Sequence, residues 1–349
     1  MEIGSEFWKY DGELNDNNSK FWNIGKDTKF TLSGRTSIDF VLREIIENKL
    51  VSKVYFPSYC CSSMIEPFEQ LGIEVEFYDV YYNEGLKYNI ELDTDCDIFF
   101  AMNYFGYSST NMDKYIKEFK NRGKIVIEDI THSILTQKRF SESSDYLVGS
   151  LRKWFPISSG GIAVNMNKKF NHELEEKTND EMIKYKQNAM QEKEEFIKGD
   201  TNKDKSKFLE EYGKSNEILA KDYKGYSIDK ESLKILMKID IDKIILQRRK
   251  NAAIIYDRLS KYKEIKFLES YSNRDCLLFV PIILDSKIRD RIRKYLIDRK
   301  IYLPIHWVLE ERLNNIFERE LSLICDQRYT EEEIDEYIIR VGGCFERKF

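Results

Sequence analysis

Several chemistries are ruled out by what the 349-residue chain lacks. It has three histidines and six cysteines, two of them adjacent at Cys60-Cys61. No Cys-x-x-Cys pair suggests zinc, and the cysteine spacing is no disulfide framework, so reduced thiols and a cytoplasmic location are expected. The start, Met1-Glu2-Ile3-Gly4-Ser5-Glu6, lacks the basic and apolar regions of a signal peptide, and no apolar run is long enough to span a membrane. Neither Gly-x-Gly-x-x-Gly nor Gly-x4-Gly-Lys-Ser/Thr occurs, which argues against the common nucleotide-binding loops. Positive charge is not in excess: the formal net charge is −5, which speaks against a nucleic-acid-binding surface.

What is present is a length that allows one large domain plus a smaller one, and an aromatic content of 13% supplied mostly by Tyr and Phe. Residues 1–29 read as an arm anchored by Phe7, Trp8, Phe21 and Trp22. The stretch Ser33-Gly34-Arg35-Thr36-Ser37 precedes apolar residues at helical spacing, so Ser33 or Thr36 caps a helix whose free N–H groups can receive an anion. Strands are expected at 51–57, 73–78, 96–102 and 124–128, separated by helices at 58–71 and from Asn111 to near Gly123. That alternation implies an α/β fold with a largely parallel sheet covered on both faces. Residues 168–224 turn to Glu, Lys, Asp and Asn and are expected to form charged helices pinned by Phe196, Phe208, Leu209 and Leu219. One long helix follows from Lys230 to about Tyr262. The remainder reads as strand 277–282, helix 289–299, strand 301–303 and a closing helix whose start is fixed by the capping box Thr330-x-x-Glu333.

Two stretches carry chemistry. In Val148-Gly149-Ser150-Leu151-Arg152-Lys153-Trp154-Phe155-Pro156, a lysine sits between a strand end and a Trp-Phe-Pro wedge, where an amine can be desolvated into a nucleophile. In Ile125-Val126-Ile127-Glu128-Asp129-Ile130-Thr131-His132, three β-formers run into an acid with a histidine three further on. Open α/β sheets keep their working residues at such carboxyl ends. Strand alternation turns Glu128 to the face opposite Asp129. An Asp-x-x-His pair is also half of a metal site, but no partner of suitable spacing lies near, so no metal is expected.

The order Ser33–Ser37, Asp129, His132, Lys153 resembles the fold type I pyridoxal-phosphate enzymes, and within them the DegT/DnrJ/EryC1/StrS aminotransferases, over about residues 3–337. The resemblance implies a fold type I transferase: a large, mainly parallel seven-stranded sheet domain at 30–235, with 168–224 as a charged insertion, and a smaller C-terminal α+β domain at 236–349. It implies that Lys153 forms the Schiff base with pyridoxal 5'-phosphate and shuttles the proton, that Asp129 keeps the ring nitrogen protonated, and that His132 lies near the phenolic oxygen. Gly34, Arg35, Thr36 and Ser150 are the implied phosphate anchors, with Asn103 among the cofactor contacts.

Relatives place an aromatic ring four residues after the proline matching Pro57. Here Cys61 stands there, so either Tyr59 or Tyr104 stacks on the cofactor or the ring is held less tightly. Ser227 stands where relatives carry an asparagine that reaches the neighbouring subunit's phosphate. His306 and Trp307 resemble the segment near the substrate mouth. The implied reaction transfers an amino group, from glutamate, to a nucleotide-linked keto sugar through a pyridoxamine intermediate, in a homodimer with shared sites. Elimination on the same cofactor, or a catalytically silent protein on the same fold, are the alternatives.

Overall fold

The computed structural model describes residues 2–200, 204–307 and 315–346. Among these the strands are, in chain order, β1 (Ile3–Gly4), β2 (Asp27–Thr31), β3 (Lys53–Pro57), β4 (Glu74–Tyr82), β5 (Leu86–Asn89), β6 (Ile98–Met102), β7 (Ile125–Asp129), β8 (Tyr146–Ser150), β9 (Gly161–Asn165), β10 (Lys266–Phe267), β11 (Val280–Ile283), β12 (Ile301–Tyr302) and β13 (Glu320–Leu323).

The large sheet has the order β2-β9-β8-β7-β6-β3-β4-β5. From β8 through β4 neighbouring strands are parallel, while β9 runs antiparallel to β8 and β2. The fold is therefore the expected mainly parallel α/β sheet, but with eight strands rather than seven. The addition is β5, which folds back antiparallel on β4 after a turn in which Glu84 and Gly85 both take positive φ, 51° and 126°. Such a turn matches the twist of a hairpin. Strands β6, β7 and β9 are buried at every position, which explains why they read as continuous apolar runs.

Helix Gly34–Asn48 packs Ile38, Val41, Leu42 and Ile45 onto one sheet face, against Phe56, Phe100, Ile127 and Val148. On the other face Tyr55, Phe99 and Val126 share a core with helix Ile241–Leu259, the closing helix Glu331–Glu346 and the three-stranded sheet β10-β11-β13. The capping box forms in both directions: Thr330 N–H donates to Glu333 Oε2 at 2.9 Å and Glu333 N–H to Thr330 Oγ1 at 3.3 Å.

The long helix expected over 230–262 is two, Lys230–Lys238 and Ile241–Leu259. The break has a distant cause. Asn18, in the N-terminal arm, donates to the carbonyls of Leu236 and Ile239 at 2.9 and 2.7 Å, and Trp22 donates to Leu236 at 3.0 Å, while Asp240 caps the second helix through Lys243 N–H. Segment 168–224 is helical as expected, over Asp180–Ile197 and Lys205–Lys221. Phe208 and Leu219 are buried in it and Phe196 partly so, but Leu209 is 46% exposed. Tyr212, Met182 and Met190 supply the missing contacts.

The first turn of helix Gly34–Asn48 meets the sheet without space to spare. A Cβ on Gly161 would lie 2.2 Å from the Ser33 carbonyl oxygen, and one on Gly34 3.0 Å from Ser150 Cβ. Both glycines let the capped helix start sit directly on the ends of β8 and β9. Gly161→Ala is therefore expected to lower stability by roughly 2 kcal/mol or more, read as a lower urea midpoint at unchanged slope; an unaltered midpoint would refute this close approach.

Candidate active site

The carboxyl ends of β7 and β8 and the start of helix Gly34–Asn48 enclose a cavity of about 160 Å³. The pairing of β7 with β8, Asp129 opposite Val148, brings the two chemistry-bearing stretches side by side. Thr131 then holds the two loops together: Ser150 N–H donates to its hydroxyl at 2.9 Å, and Trp154 Nε1–H donates to its carbonyl at 2.5 Å. Trp154 is fully buried beneath the guanidinium of Arg248, 4.5 Å from the ring centroid. Residues Leu151–Lys153 form a single 3₁₀ turn between Ser150 and this anchor.

Asp129, His132, Ser150 and Lys153 all line the cavity, as do Gly34, Arg35, Cys61 and Trp307. Asp129 is 4% exposed and accepts the Thr131 N–H at 2.7 Å, with no cation paired to it among the described residues. Burial pushes its carboxyl up to about 6. His132 is buried too, and burial first, then the charges of His306 and Lys153, holds it well below the ordinary histidine range. Its Nδ1 accepts the Phe105 N–H at 3.0 Å, so the neutral ring carries its proton on Nε2. Trp307 stacks on that ring at 5.4 Å and 24°.

Lys153 departs from expectation. Its side chain is exposed rather than desolvated by the Trp-Phe-Pro wedge, because Trp154 and Phe155 turn into the core and leave the amine at the mouth. Other expected residues are engaged elsewhere. Arg35 pairs with Glu66 at 2.9 Å and donates to the Ala220 carbonyl at 3.2 Å. Thr36 donates its hydroxyl to the Tyr223 carbonyl at 2.9 Å and does not line the cavity; the helix cap is Ser33.

Tyr59 and Tyr104 stack on each other at 5.5 Å, buried, with their hydroxyls bonded to the carbonyls of His306 and Tyr59, so neither faces the cavity. Asn103 donates to Glu128 Oε1 at 2.7 Å and accepts the Met112 N–H. Glu128 does face away from Asp129, where Ser141 and Ser144 also donate to it and burial pushes it up to about 7. Ser227 donates to the Lys177 carbonyl, and His306 shares a bond with Ser322 Oγ at 3.1 Å; neither lines the cavity.

Thr131 and Arg152 are among the lining residues that went unread in the sequence, as are Ser63, Met64 and Met102. The signal for Thr131 was its place two residues after the strand-end acid, where a hydroxyl can turn back on the strand. Arg152 was overshadowed by the lysine beside it. None of the six cysteines forms a disulfide, and no helix among the described residues is long and apolar enough to cross a membrane.

No family model matches the sequence, and no curated protein matches it. Solved structures share the fold over nearly the whole chain. PseC of Helicobacter pylori, an aminotransferase involved in the biosynthesis of pseudoaminic acid, is 12% identical with a TM-score of 0.69, covering 99% of this chain and 100% of its own. The aminotransferase TlmJ of Streptoalloteichus hindustanus is 12% identical at a TM-score of 0.67, covering 99% of each chain. NtdA of Bacillus subtilis, solved with its cofactor PMP, is 12% identical at 0.61, covering 97% of this chain and 78% of its own. The fold is thus the one these three structures share.

Asp129 generates a prediction independent of any ligand. Its folded pKa lies above the unfolded value, so the folded state favours the protonated form. Stability falls as pH rises from about 3.8 to about 6, and above that the ionised buried carboxylate costs on the order of 3 kcal/mol. Asp129→Asn is therefore expected to stabilise the ligand-free protein at pH 8 by about 1–3 kcal/mol and to lose that advantage near pH 4. Denaturation curves at the two pH values check this; equal effects at both would show that the carboxylate carries no such penalty.

Proposed function

We propose that the protein is a pyridoxal 5'-phosphate-dependent aminotransferase of the DegT/DnrJ/EryC1/StrS type. The observation that carries the reading is a buried carboxylate with no cation paired to it among the described residues, at a parallel strand end, sharing one cavity with a lysine and a helix N-terminus. These groups fit the cofactor: an acid that lacks a positive partner suits a protonated ring nitrogen, and free first-turn N–H groups suit a phosphate. Among solved structures of like fold, PseC and TlmJ are named as aminotransferases, and NtdA as holding the cofactor PMP.

Pyridoxal phosphate supplies an aldehyde that takes up an amine and a ring that accepts electrons from the adjoining carbon. Asp129 would balance a positive ring nitrogen, which would remove the cost of its own burial. His132, neutral and fixed by Phe105, presents its Nε2–H at the cavity wall. Thr131 keeps the acid in register with the lysine-bearing turn. Lys153 is the chain's amine; its Nζ would hold the aldehyde and serve as the atom that takes up and returns the proton.

The cavity is below the roughly 300 Å³ of ordinary ligand pockets, so it suits a ring-sized group, with a larger substrate lying across its mouth. We read that substrate as a nucleotide-linked keto sugar, the amino donor as glutamate and the enzyme as a homodimer. In this reading a second copy covers the exposed Lys153 and desolvates it.

Purified protein given pyridoxal phosphate should absorb near the visible edge and be fixed by borohydride, and Lys153→Ala should abolish both. Glutamate should convert the bound form to pyridoxamine phosphate, and keto-sugar nucleotides should reverse it. Lys153→Ala is expected to slow these half-reactions by at least about 10²-fold. Unchanged chromophore and rate in that variant would remove Lys153 from the chemistry.

A further inference from the structure

The anion seat at the start of helix Gly34–Asn48 has lost most of the side chains that sequence assigns to it. Arg35 is spent on Glu66 and the Ala220 carbonyl. Ser33 Oγ is taken by the Thr36 N–H and hydroxyl, and Thr36 Oγ1 donates to Tyr223. The helix itself thus offers only backbone N–H groups and its dipole, worth a fraction of a full charge.

Besides Lys153, one cation facing this cavity is uncommitted among the described residues. Arg152 lines it and makes no hydrogen bond or ion pair among the described residues, and its Nε is buried without a partner. An unpaired buried donor on a charged group is costly unless a ligand completes it. The surroundings select the sign of that ligand. Arg35 and Lys153 share the cavity, and the acid close enough to influence Arg152, Glu6, is already neutralised by Lys186 at 2.9 Å. Glu6 lies down at about 2, chiefly through Lys186, with Lys153 and Arg152 adding to it. The 3₁₀ turn places Arg152 two residues past Ser150, the residue in closest approach to Gly34.

We propose that Arg152 is the side chain that binds the phosphate of the cofactor, its guanidinium supplying the charge that the helix start and Arg35 do not. This rests on the pyridoxal phosphate reading above. It differs from the sequence expectation, in which Gly34, Arg35, Thr36 and Ser150 share that task and Ser227 reaches the neighbouring subunit's phosphate. A planar fork of N–H donors on a short turn suits a phosphate better than a single ammonium does.

The test compares pyridoxal 5'-phosphate with pyridoxal, which keeps the aldehyde and ring but lacks the phosphate. Each is titrated, by absorbance, into the wild-type protein and into Arg152→Met and Arg152→Lys, with thermal melts to verify folding. Expected is a tenfold to hundredfold loss, roughly, of affinity for the phosphorylated compound in Arg152→Met, a smaller loss in Arg152→Lys, and no change for pyridoxal. Inorganic phosphate should compete with the cofactor in the wild type and do so more weakly in Arg152→Met. If both compounds weaken equally, or neither does, Arg152 is not the phosphate ligand. Should Arg152→Met not fold, an Arg152→Lys affinity equal to wild type, with unchanged phosphate competition, overturns the proposed fork. If the wild type takes up neither compound, the cofactor reading itself fails and this proposal falls with it, an outcome separate from the others.

Discussion

The hydroxyl and carbonyl of Thr131 hold the site together. One accepts from the backbone of Ser150 and the other from the indole of Trp154, so a single residue ties the loop after β7 to the turn after β8. Parallel strands present their ends to the same side, but nothing in strand pairing alone fixes the loops beyond them. The Thr131 bonds do, and Trp154 carries the restraint into the core through Arg248, whose guanidinium also donates to the carbonyls of Leu277 and Leu278. Positioning of Asp129 against Lys153 is thereby a property of the core and not of an adaptable surface loop.

This rigidity is joined to an electrostatic imbalance. Among the described residues Asp129 is buried without a paired cation and Arg152 Nε is buried without a partner, and both residues line one small cavity. In a finished core each would be a fault. Together they give one cavity a group suited to a cation and a group suited to an anion. Proteins tolerate such local deficits where a ligand relieves them, at the expense of ligand-free stability.

Much of this was legible in sequence because it is local. The strand end Ile125–Asp129, the capped start at Ser33 and the reciprocal Thr330 and Glu333 bonds each depend on residues a few positions apart. The failures are non-local. Helix 230–262 breaks because Asn18 and Trp22 claim its carbonyls from over two hundred positions away, a relation no periodicity encodes. Tyr59 and Tyr104 look like ring-stacking residues until their hydroxyls find carbonyls in the core. Arg35 has the charge and position for a phosphate, yet Glu66 stands close enough to take it. Which of several plausible cations is left free is decided by packing.

The placement of β2 beside β9, rather than beside the strand that follows it in the chain, bears on how the molecule is made. During synthesis the segment Asp27–Thr31 leaves the ribosome early and has no sheet neighbour until Gly161–Asn165 emerges. Until then helix Gly34–Asn48 is tethered on one side only, and the cradle at its first turn does not exist. A chain truncated before β9 would hold five parallel strands and both chemical motifs, and still have nowhere to seat an anion.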